Sequence, residues 1–273
     1  TMPLLRLGSR GPDVAELQRL LTSAGFAVKV DSQFGPMTEA GVRSYQGEYG
    51  LRQDGIAGPR TMASLRGVAL DDTDPAIVVP IWGVDVSEYN PVVPWAALKA
   101  AGCSFAIPRG MTGADKKGEM REDRYARQHA AQARAAGIEV PGFYGWMSEM
   151  RSGVMQGTFF ASLGLPGFLA LDYEPGPGKQ RFNDPAKMRA EGTAFIQAIE
   201  SAGRKCPVYT APYAGPFPPS WASRPLWLAR PGHAGWPDAP LPWGEAVAWQ
   251  SGLVMGLDRN EVRGGLPALK ALG

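Results

Sequence analysis

Histidine and cysteine are scarce in this chain of 273 residues, with two of each. A zinc hydrolase needs about three protein ligands of His, Cys or carboxylate type. Neither His129 nor His233 has a partner at ligand spacing, so both are read as structural or exposed, and no metal or other cofactor is expected. A Cys/His nucleophile is excluded on similar grounds, because neither Cys103 nor Cys206 stands at a helix start or beside a histidine. Both precede apolar runs, SFAIP and PVYTA, and are read as free thiols; a disulfide would require those strands to be neighbours. No window reaches the roughly 18 apolar residues of a spanning helix, and TMPLLRLGSRG lacks the apolar run of a secretion leader. No membrane insertion is therefore expected. Formal net charge is only +2 and no Lys/Arg run interleaves with aromatics, which leaves no electrostatic footprint for nucleic acid.

What is present suits a soluble globular chain with many turns: 44% hydrophobic residues, 20% charged, 35 Gly and 25 Pro. The length allows one large domain plus a small one. An internal repeat marks the small one. DSQFGPMT at 31–38 and DGIAGPRT at 54–61 share D-x-x-x-G-P-x-T, in which Asp suits a turn, Gly relieves the backbone and Pro opens a helix without losing a needed donor. Val14, Leu17, Leu20 and Leu21 recur at helical spacing, as do Val42, Tyr45 and Tyr49, so three short helices can share one core. A domain this small buries little and suits a binding module better than a deep-pocketed enzyme. LRLGSRGPDVAELQRLLTSAGF, VDSQFGPMTEAGVRSYQGEYGL and DGIAGPRTMASL together resemble the three-helix peptidoglycan-binding domain of bacterial and phage wall hydrolases, with Asp31-Ser32 where that family usually has Asp-Gly. The repeated Asp, Gly and Pro residues are read as helix caps rather than binding groups.

These patterns predict a binding domain over 2–68, a linker over 69–80 where helical periodicity lapses in LDDTDPAIVVP, and a second domain over 81–273. From Trp82 onward GVDVS, SFAIPRG, VPGFYGW and FLALDYE alternate with helical stretches, and PVYTA, PLWLA and AVAWQ follow with shorter, Pro-rich connections. Asp184 and Pro185 open a helix striped by Met188, Gly192, Phe195 and Ile199 and closed by Gly203. The fold class expected is α/β: an irregular (β/α)-type barrel behind a small all-α domain.

In such barrels chemistry sits where strands end, and here those ends carry acids. Asp85 ends the first strand, Asp172 and Glu174 end FLALDYEP, and Asp258 is read as following the final strand in GLDRNE. Two residues apart on a strand, Asp172 and Glu174 share one face. Paired carboxylates at the end of an apolar strand raise the proton affinity of one, the arrangement that glycosidic cleavage needs. A lone D-x-E is weak evidence, because acids at strand ends are often solvated groups or caps.

The order GVDVSEYN, FAIPRG, AAGIEVPGFYGW, LALDYEP, PVYTAPY, PLWLARP, VAWQS and GLDRNE resembles glycoside hydrolase family 25 lysozymes from Trp82 to the C-terminus. The resemblance implies a barrel of about five βα units and three further strands. It also implies hydrolysis of the β-1,4 bond between N-acetylmuramic acid and N-acetylglucosamine. Glu174 then matches the general acid, and Asp172 the nucleophile or the stabiliser of the substrate's 2-acetamido group; substrate-assisted enzymes are exceptions to the two-carboxylate rule. Asp85 and Asp258 match the outer acids. Arg109-Gly110-Met111-Thr112-Gly113 departs from the family's K-A-T-E-G, and Tyr144-Gly145-Trp146 from its Tyr-His-Phe, which bears on distal sugar contacts.

For substrate binding the candidates are Tyr144, Trp249, Tyr213, Tyr89 and Arg109; Tyr173 alternates away from the acids and is expected to pack against a helix, and Gln250 is left outside the site. The partner implied is bacterial peptidoglycan, met by a monomer. A chitinase-like D-x-E glycosidase and a catalytically silent wall-binding protein are the alternatives. The setting expected is a phage or prophage endolysin held in the host cytoplasm until release to the wall, or a secreted enzyme if a leader has been removed.

Overall fold

The structure is a computed structural model that describes residues 4–49, 51, 54–67, 81–174, 184–233 and 236–272. It divides into two compact units, Thr1–Val79 and Pro80–Gly273. The stretch read as a linker lies outside the described residues.

The first unit holds three helices, α1 (Pro12–Ser23), α2 (Pro36–Glu48) and α3 (Pro59–Leu65). Each begins with proline directly after glycine, at Gly11, Gly35 and Gly58, so the repeated launch occurs three times rather than twice. Val14, Leu17, Leu21, Val42, Tyr45 and Met62 meet in one core with Leu5, Phe34 and Ala57. Tyr49, expected on the buried stripe, is half exposed at the end of α2, where it stacks on Tyr45 at 4.4 Å.

The repeat has a cause that the sequence reading did not find. Buried Gln18 on α1 donates from Nε2 to Asp31 Oδ1, the Gln33 carbonyl and Thr38 Oγ1, and accepts the Asp31 and Ser32 amides at Oε1. Gln46 on α2 does the same for the second copy: Nε2 donates to Asp54 Oδ1, the Ile56 carbonyl and Thr61 Oγ1, and Oε1 accepts the Gly55 amide. The Asp and Thr of D-x-x-x-G-P-x-T are therefore the two ends of a clasp closed by a glutamine from the preceding helix. Ser32 takes the left-handed backbone of Gly55, with φ of 60° against 72°, so the turn survives the loss of glycine.

The second unit is a closed barrel. Strands β1 (Ile81–Val86), β2 (Phe105–Thr112), β4 (Gly142–Trp146), β5 (Phe168–Tyr173), β6 (Val208–Thr210), β7 (Leu226–Ala229) and β8 (Ala248–Val254) pair in parallel in that order. Strand β9 (Leu257–Val262) runs antiparallel to both β8 and β1 and shuts the ring, while the short β3 (Arg121–Glu122) hangs on β2. Helices α4 (Trp95–Ala100), α5 (Ala126–Ala135), α6 (Gly153–Ser162) and α7 (Pro185–Ser201) follow β1, β3, β4 and β5, and 3-10 turns follow β6. The mixed α/β barrel expected from the alternating patterns is thus the fold. Asp184 caps α7 through the Ala186 and Lys187 amides, and Met188, Gly192, Phe195 and Ile199 are its buried stripe.

One expectation is corrected. Asp258 does not follow the last strand but lies on β9 itself, returned by a tight turn in which Met255 and Gly256 both have positive φ. LDRNEV has four consecutive polar residues and no glycine-pair signal before it, so the alternation that marks a half-buried strand is hidden.

Period-two alternation sorts the barrel side chains. Val84, Leu169, Leu171, Val208, Leu226 and Leu228 point outward to the helices. Phe105, Phe168, Tyr209, Trp227, Ala248 and Val262 fill the interior, stopped at the end where β2 and β5 begin by Leu269 and Leu272 from α8 (Gly265–Ala271) and the residue after it. Gly83 faces Phe105 so closely that an added Cβ would lie 2.5 Å from the ring. A bare backbone there lets the phenylalanine plug the barrel floor.

Candidate active site

With the floor packed, the opposite end of the barrel holds the polar residues. Asp85 and Asp258 face each other as register partners on β1 and β9. Asp172 lies beside Tyr209 across β5 and β6, and Glu174 is half-buried just beyond the end of β5. Asp85 and Asp172 each keep 9% of their surface exposed.

The acids share one electrostatic neighbourhood. The Tyr209 hydroxyl is pushed up strongly, first by burial and then by Glu174, Asp172, Asp85 and Asp258 together, so all four acids bear on a single phenol. Burial, then repulsion from Asp258, raises the Asp85 carboxyl to about 7, against the opposing pull of hydrogen bonds from Asn260 and Gln250. Burial also raises Asp258. The Tyr144 hydroxyl on β4 is raised by burial and then by Asp85, with Arg109 opposing. Both phenols therefore remain neutral and work as hydrogen-bonding groups.

A chain of hydrogen bonds fixes Asp85. Its Oδ2 accepts from Asn260 Nδ2 at 2.8 Å and Gln250 Nε2 at 3.2 Å. Trp227 Nε1 donates to Asn260 Oδ1 at 2.8 Å, and the Tyr209 hydroxyl donates to Gln250 Oε1 at 3.0 Å. Asn260 and Tyr209 were not singled out from the sequence, and Gln250 was set aside. The signal was parity: Gln250 alternates with interior Ala248, and Asn260 sits two residues from Asp258 once LDRNEV is seen as a strand.

The other candidates divide. Tyr144 lies on the interior face with its ring edge-on to Trp227 at 6.2 Å. Tyr89 and Tyr213 are 79% and 76% exposed on the connections after β1 and β6. The Arg109 guanidinium lies 5.1 Å from the Tyr89 ring centre but is committed to two carboxylates, Asp123 at 2.7 Å and Glu88 at 2.8 Å. Trp249 is not brought to the acids; one residue out of phase with Gln250, it is buried against Trp236 and donates to the Arg230 carbonyl. Tyr173 also points outward, edge-on to Trp221 at 4.9 Å.

His129 is buried on α5 against Trp95 and Tyr125, with Nε2 3.3 Å from the Ser87 carbonyl. Cys103 and Cys206 are free and buried, and burial pushes both thiols up. Among the described residues no group of three or more His, Cys, Asp or Glu is placed to hold a metal ion, and no helix is long and apolar enough to cross a membrane.

Residues 10–65 match the putative peptidoglycan binding domain, and residues 84–252 match glycosyl hydrolases family 25. Lysozyme M1 of Streptomyces globisporus is 28% identical over 220 residues, covering 72% of this chain and 73% of that protein. The zinc D-Ala-D-Ala carboxypeptidase of Streptomyces albus G is 41% identical over 71 residues, only 25% of this chain and 28% of that protein. Among solved structures, a muramidase from Trichobolus zukalii aligns with a TM-score of 0.60 and 26% identity over 70% of this chain and 98% of its own. With more than half its residues inside the family match and a barrel of the same fold, the chain belongs to glycosyl hydrolases family 25.

Proposed function

We propose that the chain is a lysozyme-type muramidase that cleaves the β-1,4 bond between N-acetylmuramic acid and N-acetylglucosamine in bacterial peptidoglycan. The convergence of Asp85, Asp172, Glu174 and Asp258 on Tyr209, in a chain of this family, carries the reading. Glu174, at the open end of β5, donates a proton to the leaving glycosidic oxygen. Asp172 holds the N–H of the substrate's 2-acetamido group, so that its carbonyl oxygen attacks the anomeric carbon in place of a protein nucleophile. Water then opens the resulting ring with Glu174 accepting its proton. Asp85 and Asp258 accept sugar hydroxyls, and the exposed rings of Tyr89 and Tyr213 offer faces for stacking.

In this reading residues 2–68 hold the wall and residues 81–273 cut it, as a monomer. The match of residues 10–65 to a putative peptidoglycan binding domain supports the division. An endolysin delivered from a host cytoplasm is a setting that this pairing suits. The test is mass spectrometry of digested sacculi after borohydride reduction: new reducing N-acetylmuramic acid is expected, and free stem peptides, reducing N-acetylglucosamine or release from chitin alone would overturn the bond assignment. Glu174→Gln should reduce kcat by at least about 100-fold while leaving sacculus binding intact; undiminished lysis by that variant would remove Glu174 from its role.

A further inference from the structure

Asp85 is bound asymmetrically. Both of its amide donors reach Oδ2, and among the described residues no hydrogen bond to Oδ1 accompanies them. The orientation of one donor follows from chemistry alone. An indole Nε1 can only donate, so the Asn260 atom facing Trp227 must be Oδ1, and the atom facing Asp85 must be the amide nitrogen. The Gln250 link has no such ratchet, because the Tyr209 hydroxyl facing it can donate or accept.

We infer that Asn260, locked by Trp227, is a positioning residue that makes Asp85 Oδ2 a permanent acceptor, so that when Asp85 binds a proton it is carried on Oδ1. An oxygen receiving two N–H donors has no room for a third hydrogen in its plane, whereas Oδ1 is free of that constraint. Asp85 then turns a single atom to its surroundings: an O–H donor when protonated, an acceptor when ionised. Asp85 is pushed up by Asp258 on β9 and by Glu174 just beyond β5, and it in turn raises Tyr144 on β4 and Tyr209 on β6; Asp172 on β5 acts on both of those phenols and Arg109 on β2 on Tyr144, the arginine being engaged with Glu88 and Asp123. Strands β7 and β8 contribute Trp227 and Gln250, which do not titrate. The inference deepens the proposed function and rests on Asp85 belonging to the hydrolytic site.

Removing the ratchet weakens the ionised form of Asp85, which loses a donor or faces a turned amide oxygen. In Trp227→Phe and in Asn260→Ala, carboxyl 13C NMR of the full chain should show the Asp85 midpoint about one pH unit higher. The limb of the kcat/KM profile that follows Asp85 should move up with it. Trp227 packs in the barrel, so if its variant unfolds, Asn260→Ala decides. A role in folding alone would lower Tm and leave the midpoint in place, and an unmoved or lowered midpoint in folded protein overturns the inference. Glu174→Gln, measured alongside, separates the two claims: if it is inactive while the Asp85 midpoint in Asn260→Ala is unmoved, only the ratchet sinks, whereas full activity of Glu174→Gln sinks the site.

Discussion

Replacing Asp85 with Asn should make the barrel more stable at neutral and alkaline pH and leave it nearly unchanged at acid pH. Asp85 is raised from an ordinary 3.8 to about 7, with burial the larger cause and Asp258 the next. A carboxyl raised on folding binds its proton more tightly in the native state, so the stability it contributes is full below about 4 and is lost as pH rises through about 7. Roughly three pH units at about 1.4 kcal/mol each set a ceiling of ~4 kcal/mol, reduced by residual structure in the unfolded chain to ~2–4 kcal/mol. Asparagine fits the same place: its amide oxygen accepts from Asn260 and Gln250, and its NH2 group stands where the proton of Asp85 would. All eight tryptophans lie beyond residue 81, so indole fluorescence during urea unfolding follows the barrel unit. The expected result is a stabilisation of ~2–4 kcal/mol at pH 8 that falls to roughly a third of that at pH 5 and below ~1 kcal/mol at pH 4, with lysis of sacculi impaired throughout. A difference independent of pH would refute the argument that Asp85 is held against its own charge.

Three further outcomes follow from the packing. Ser32→Gly relieves a left-handed backbone at a non-glycine residue and should stabilise the first unit by about 0.5–1 kcal/mol, read as slower hydrogen exchange in α1 and α2. Gln46→Ala opens the second clasp, exposing four broken hydrogen bonds, and should cost that unit about 2–4 kcal/mol, read by the same exchange and by weaker sacculus binding. Arg109→Met strands the buried Asp123 carboxylate, while Glu88 keeps its pairing with Arg121, and should lower barrel stability by about 3–5 kcal/mol in the urea experiment.

What could be read in advance, and what could not, divides along the range of the interactions. The clasp motif, the Asp184 cap and the stripe of α7 are written within a few residues, because a cap or a helix face is set by local spacing. The barrel was legible for the same reason: each parallel strand is an apolar run long enough to stand out. The clasping glutamines were hidden because each reaches a loop many residues away, Gln18 to Asp31 and Gln46 to Asp54, and a buried Gln leaves no pattern of its own.

Strand β9 marks the limit most sharply. An apolar strand announces itself through the cost of exposing it, but β9 leaves Asp258 exposed at the rim and turns Asn260 into an interior lined with polar partners, so its sequence resembles a solvated loop. The residues that make it a strand, Trp227 on β7 and Asp85 on β1, are 33 and 175 positions from Asn260. The placement of Trp249 was hidden for the opposite reason. A large aromatic beside a polar strand end reads as a sugar platform, but its position out of phase with Gln250 sends it to the outer layer, and only the barrel's closure decides which phase is inside. Composition and motif thus reveal which residues carry charge to the open end of the barrel. The hydrogen bonds that decide how each charge is held depend on closure, because β9 brings Asn260 to Asp85 only once it has paired with β1 and β8.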